Sequence, residues 1–304
     1  IAYIGIGAGY IGLFFIVYYL LNNLVTLISV PTAVSAISVV IPGVKIPGSP
    51  IVIPLLTGWI ALFMVIVVHE FSHGVVARAH KLDVKSSGIF FLGPLMGAFV
   101  EPDEKKLRKQ SDTTQYSVYA AGPFSNVILA MLCLLMLTYI FVPVIGAMTN
   151  EVGVELAGVT DNLPAKAAGL SAGMIITSVN NETVHNYNDF TNQLSRVRPN
   201  ETVSLTANGT AYTLVTAPSP DNPKQGYLGV MANSKPKTEM KSEATYFNIF
   251  YLIIKWLAEL VSITGILSFG IGLANLMPLG PVDGGRMLQV TLEKIKGVEK
   301  GNRL

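Results

Sequence analysis

Residues 67–80 read VVHEFSHGVVARAH. They end an uncharged run, since no Asp, Glu, Lys or Arg lies between Lys45 and Glu70. About 20 mostly apolar residues cross a bilayer as a helix. A span is therefore expected from about residue 52 to residue 79, with this polar stretch near its end. On a helix, positions i and i+4 share a face, so His69 and His73 can aim both imidazoles at one metal ion. Glu70 between them can then serve as general base toward an activated water. A chain of this length and composition would show the pattern by chance about 0.002 times. Ionisable groups within spans are costly and mark function. The plainer reading, a polar helix end that merely meets the cytoplasm, is the weaker one.

The same pattern extends outward. No charged residue precedes Lys45, and further uncharged runs cover residues 113–150 and 260–282. Spans are expected at about 5–30, 52–79, 114–146 and 246–276. Hydrophobic residues make up 51% of the chain and charged residues 13%, against about 25% charged in soluble domains. A multi-pass α-helical membrane protein of about four spans, embedded in a lipid bilayer, is the expected class. The net charge of +2 gives no reason to expect a nucleic-acid partner. The single Cys133, in an apolar run, excludes an intrachain disulfide framework and a cysteine zinc finger. The first segment has no basic n-region and no A-x-A site, so it reads as a span and not a signal peptide. The chain starts at Ile1 and its tail, EKIKGVEKGNRL, stops without an apparent structural end, so further segments are expected at either end.

Three regions follow. Residues 1–150 hold three spans, the His-Glu helix and a Gly/Phe-rich segment, GIFFLGPLMGAFV, expected as two short strands around Gly93 and Pro94. Residues 31–50, rich in Pro and Gly, are expected to be an irregular or re-entrant connection. Residues 151–242 regain charge and show strand alternation in TVSLTA and AYTLVTA around an Asn208-Gly209 turn. They read as a soluble α/β domain inserted between spans. Residues 243–304 hold the fourth span, a break at NLMPLGPVDGG and a short amphipathic helix. Basic residues crowd the 78–109 loop and the tail, which puts both on the cytoplasmic side. The insert and residues 31–50 then fall outside.

A hydrolytic zinc site takes three protein ligands and keeps a position for water. Of the other histidines, His80 lies about 10 Å further along the helix axis, and His185 sits in the insert, both as surface residues. Asp283, inside NLMPLGPVDGGR, follows a long uncharged run and sits beside broken backbone. Such backbone is tolerated at membrane depth where it is buried in protein or lines a wet cavity. By itself Asp283 reads as an ordinary Asp-Gly turn; beside the His pair it reads as the third ligand.

Together, HEFSH in one span, AGPFSN in the next and NLMPLGPVDGG in the last resemble the site-2 protease family of intramembrane zinc metalloproteases. The resemblance covers about residues 52–290. It implies that His69, His73 and Asp283 bind Zn2+ and that Glu70 activates water. It implies that Asn275 holds unwound substrate backbone, with Asn126 in the same role. It implies transmembrane protein substrates, single-span regulatory proteins cut within or near their transmembrane segment. The Gly/Phe-rich segment could offer a strand edge to such a substrate, or simply pack on the spans. Family members commonly continue into further spans after the Asp-Gly motif.

The insert resembles the PDZ domains of bacterial-type membrane and stress proteases. The pattern P-A-x-x-A-G-L-x-x-G-x-x-I-x-x-V-N runs over residues 164–180, with Met174 where Asp is usual and Asn181 where Gly is usual. Gly169 is expected to end a short helix and Gly173 to turn the chain into the strand IITSV. The resemblance implies gating of bulky substrates; a passive spacer is the other reading. The alternative for the whole chain is a non-catalytic PDZ-bearing membrane adaptor with a structural metal site. An intact Glu70 speaks against it, because a structural site needs no general base.

Overall fold

The computed structural model describes residues 2–30, 40–45, 52–92, 95–220, 222–241 and 248–296. The turn expected at Gly93 and Pro94, most of the 31–50 connection and the end of the tail lie outside the described residues. In chain order the elements are α1 (Ala2–Ser29), α2 (Leu55–Ala79), β1 (Val84–Leu92), β2 (Leu95–Pro102), α3 (Glu104–Leu107) and α4 (Asp112–Met136). A π-helical turn, Leu137–Phe141, leads to α5 (Val142–Met148) and β3 (Thr149–Val159). Then come α6 (Pro164–Ala167), β4 (Ile175–Val179), β5 (Glu182–Thr183), α7 (Tyr187–Ser195), β6 (Thr202–Ala207) and β7 (Thr210–Val215). The chain continues through β8 (Ala217–Pro218), β9 (Gly226–Tyr227), β10 (Val230–Met240), α8 (Asn248–Asn275) and α9 (Asp283–Lys296).

Among the described residues, four helical stretches are long and apolar enough to cross a membrane: α1, α2, the run Asp112–Met148 and α8. They correspond to the expected spans, and the chain is a multi-pass membrane protein with a separate sheet region. It divides into two compact units, Ile1–Pro143 with Ile253–Leu304, and Val144–Leu252.

The first unit packs by close approach of small residues, as helices do where lipid removes the hydrophobic drive between them. On α8, Gly265 faces Cys133 of α4, Ser268 donates to the Asn126 carbonyl at 2.8 Å, and a Cβ at Gly272 would stand 3.1 Å from the Asn126 Cβ. Gly9 of α1 sits against Ala120 of α4 and Met287 of α9. Beyond the C-cap of α2, Lys81 is held at φ +61. The Leu82 amide donates to the Ala77 carbonyl and the Lys81 amide to the Arg78 carbonyl, a Schellman cap in which Lys stands where Gly is usual. Strands β1 and β2 pair antiparallel, with Gly88 opposite Phe99 and Phe90 opposite Gly97. Each ring lies over the glycine it faces. Helix α9, expected as a short amphipathic helix, is formed over 14 residues.

The second unit is an antiparallel sheet in the order β10-β3-β4-β6-β7, with β5 paired to β4. Val154, Leu156, Ile176, Val179, Val203 and Leu205 are among the residues of its core. Asn208 (φ +48) and Gly209 (φ +78) make the two-residue turn between β6 and β7, as the Asn-Gly signal leads one to expect. Gly169 and Gly173 are both at positive φ, +89 and +86, on either side of Leu170.

Candidate metal centre and its cavity

Six of the eight buried residues of α2 recur every fourth position: Thr57, Ala61, Val65, His69, His73 and Ala77. Both imidazoles thus stand on the ridge that α2 presents inward, and His69 and His73 are only 6% and 9% exposed. Facing them is Gly122 of α4. A Cβ there would overlap His73 Nε2 and stand 2.6 Å from His69 Nε2. A glycine is therefore required for the rings to occupy this place. Pro123 follows inside the helix and removes the amide that would otherwise bond the Tyr119 carbonyl.

The third component arrives from the other end of the unit. After α8 the chain turns through residues 276–282, with Pro278 and Pro281, and re-enters helix at Asp283. The turn lies against the start of α9. A Cβ at Gly284 would overlap the backbone of Leu276, and one at Gly285 would overlap the Leu279 carbonyl. The two glycines let the loop fold back, and this sets Asp283 beside the His pair.

His69 Nε2 lies 3.1 Å from Asp283 Oδ2, His73 Nε2 lies 3.4 Å from the same oxygen, and the two Nε2 atoms are 3.3 Å apart. Four ligands at 2.0–2.1 Å around a tetrahedral zinc are separated by about 3.3 Å, so the three atoms fit three corners of such a site. His73 Nδ1 donates to the Val118 carbonyl at 2.7 Å, which leaves a lone pair on Nε2. The Asn126 amide meets His69 Nδ1 at 3.1 Å through Nδ2, and Asn126 Oδ1 is buried without a partner. A half-turn of that amide gives Oδ1 the Nδ1–H of His69 and frees the second Nε2. Asp283 Oδ2 is likewise buried without a hydrogen-bond donor. Two lone pairs and a carboxylate oxygen converging on one point repel each other unless a cation lies between them. Burial by itself disfavours the Asp283 carboxylate, and a cation held at this point would offset that cost. A carboxylate ligates a metal as the anion.

A cavity of about 420 Å³ opens on this point, lined among others by His69, Glu70, His73, Val100, Asn275 and Asp283. Glu70 Oε2 accepts from the Val100 amide of β2 at 3.3 Å. The structure thus brings together His69, Glu70, His73 and Asp283, with Asn275 also lining the cavity. Asn275 Nδ2 donates to its own helix, to the Ile271 carbonyl at 3.1 Å, leaving Oδ1 for another partner. Asn126 is fully buried behind His69 and is not part of the cavity lining. His80 is the C-cap residue of α2, and His185 is exposed in the second unit with Nδ1 3.2 Å from the Glu151 carbonyl. The contacts that sequence reading missed are those of the backbone, the Val118 carbonyl and the Val100 amide, which carry no side-chain signal. The role of Gly122 was half visible in AGPFSN.

The profile of peptidase family M50 matches residues 57–304. The chain is 27% identical over 255 residues to an uncharacterised protein of Methanocaldococcus jannaschii, covering 83% of this chain and 61% of that one. It is 28% identical over 218 residues to the regulator of sigma-W protease RasP of Bacillus subtilis, covering 59% and 50%. It is 27% identical over 219 residues to the zinc metalloprotease RasP of Shouchella clausii, covering 58% and 50%. The chain belongs to peptidase family M50, the site-2 proteases whose motifs it shares. It spans between half and about 61% of the length of these relatives.

Proposed function

We propose that the protein is a zinc-dependent endopeptidase that cleaves single-span membrane proteins within or beside the bilayer. The observation that carries this reading is the convergence of His69 Nε2, His73 Nε2 and Asp283 Oδ2 at 3.1 to 3.4 Å, with Glu70 lining the same cavity. Family membership and the relatives' names support zinc as the metal. When bound, zinc supplies Lewis-acid polarisation of a carbonyl and lowers the pKa of water toward about 7.

The chain's own groups do the rest. Glu70 takes a proton from the attacking water and passes it to the leaving amine. The Val100 amide steadies its carboxylate without supplying a counter-charge. A helical substrate hides its carbonyls in i→i−4 bonds, so it unwinds before attack. The unwound stretch is held by the free edge of β2, in the manner of strand addition, and by the amide of Asn275. Asn126 orients His69 through its amide. The basic loop and tail favour a cytoplasmic site and an outer insert. The insert is read as PDZ-like, a reading supported by the short helix α6, the turn glycines 169 and 173 and the strand β4 that follows. By the family resemblance it gates substrates with bulky outer parts.

The test is cleavage of a reconstituted single-span substrate by the wild type and by Glu70→Gln, with zinc measured in both. A general base contributes about 10² to 10⁴ in rate, so the variant should lose that much while keeping its zinc. A chelator should abolish wild-type cleavage, and added zinc should restore it. Equal cleavage by both proteins would remove Glu70 from the chemistry.

A further inference from the structure

Arg286 carries the only guanidinium or ammonium group on the cavity wall among the described residues. It lies one helical turn beyond Asp283 on α9. Its Nη1 donates to Glu104 Oε1 at 2.6 Å, and its guanidinium carbon stands 5.7 Å from the centroid of the Tyr119 ring. Glu104 opens α3, two residues after the end of β2. Strand β2 is in turn fixed to α2, where the Val100 amide bonds Glu70 and Val100 Cγ1 fills the space above Gly74. The cavity thus has two walls. One is α2 with β2 on it, carrying the His pair and Glu70. The other is α9, carrying Asp283. The Arg286–Glu104 pair ties α9 to the β2–α3 end of the first wall.

We infer that Arg286 and Glu104 form a strut that positions β2, and through the Val100 amide the Glu70 carboxylate, relative to Asp283. This rests on the protease reading for its effect on rate, but not for its effect on structure. Both side chains are partly exposed, 39% and 49%, and pairs of that kind contribute little to stability. Their value here is geometric: the Tyr119 ring restricts the guanidinium, so the carboxylate it grips is held at a set distance from the metal ligands. Neither residue touches the reacting atoms; both are positioning residues.

The experiment uses the full chain loaded with zinc in lipid. Amide exchange over residues 96–102 and cleavage of a single-span substrate are measured for Arg286→Ala, Glu104→Ala, the double variant and the charge swap Glu104→Arg with Arg286→Glu. Exchange in that segment should rise about tenfold in each single variant. kcat should fall about tenfold at unchanged KM and wild-type zinc content. The double variant should be no worse than either single one, as expected for groups acting as a unit, and the swap should recover most of both losses. Unchanged exchange at 96–102, or losses that add in the double variant, overturns the strut. A wild type that cleaves nothing, with exchange still dependent on Arg286, leaves the strut standing and counts against the protease reading instead.

Discussion

Gly122 shows how much a missing side chain can do. Its hydrogen leaves room for two imidazole rings at once, and those rings carry the chemistry. Gly122→Ala is expected to displace both Nε2 atoms, to lower zinc occupancy severely and to cut cleavage at least about 100-fold, since small misplacements cost that much. Zinc content by elemental analysis of the purified protein checks it directly. Gly270→Ala is the control, because a Cβ there meets nothing within 4 Å; it should leave both metal and activity intact. Full zinc occupancy in Gly122→Ala would show that the helices separate freely and that the close approach is not needed.

At the scale of elements, the turn between α8 and α9 does the positioning. Asp283 is the first residue of α9, and its place is set by how tightly the preceding loop folds back. Gly285→Ala drives a methyl group into the Leu279 carbonyl. The cost of such overpacking is about 1–3 kcal/mol where neighbours yield and more where they are backbone. We expect Gly285→Ala to lower thermal stability and weaken zinc binding together, whereas Gly280→Ala, with open space around it, changes neither. Thermal melts with and without added zinc separate the two effects. A Gly285→Ala protein that melts and binds zinc like wild type would mean that the loop is not packed as described.

For the molecule as a whole, the two units have separate cores. The buried cluster of the sheet unit runs from Val154 to Leu228 and draws on no residue of the spans. A domain of about 100 residues with its own core can fold alone. Residues 149–241, produced without the spans, should therefore be soluble and unfold in urea in a single transition, with a stability of about 5 kcal/mol or more. A molten, uncooperative product would mean that the unit depends on the membrane part.

What the sequence determined by itself follows from periodicity and cost. Uncharged runs long enough to cross a bilayer can do little else, so the four spans were legible within a few residues. Two histidines four apart with a glutamate between them share a helix face by geometry alone. The Asn-Gly turn and the two glycines after α6 were legible because few other residues adopt positive φ cheaply. Lys81 was not, since it takes that conformation against its own preference, held by a cap whose bonds are all backbone. Only the tertiary structure decided the rest. Asp283 lies 210 residues from His73 in the chain, yet its carboxylate lies 3.4 Å from that ring, and no local pattern encodes that distance. Asn126 sits behind His69 and away from the cavity because α8 packs onto α4 through Ser268 and Gly272. The amide of Val100 and the carbonyl of Val118 complete the site from the backbone, whose donors and acceptors are the same at almost every residue; only packing selects the two that matter.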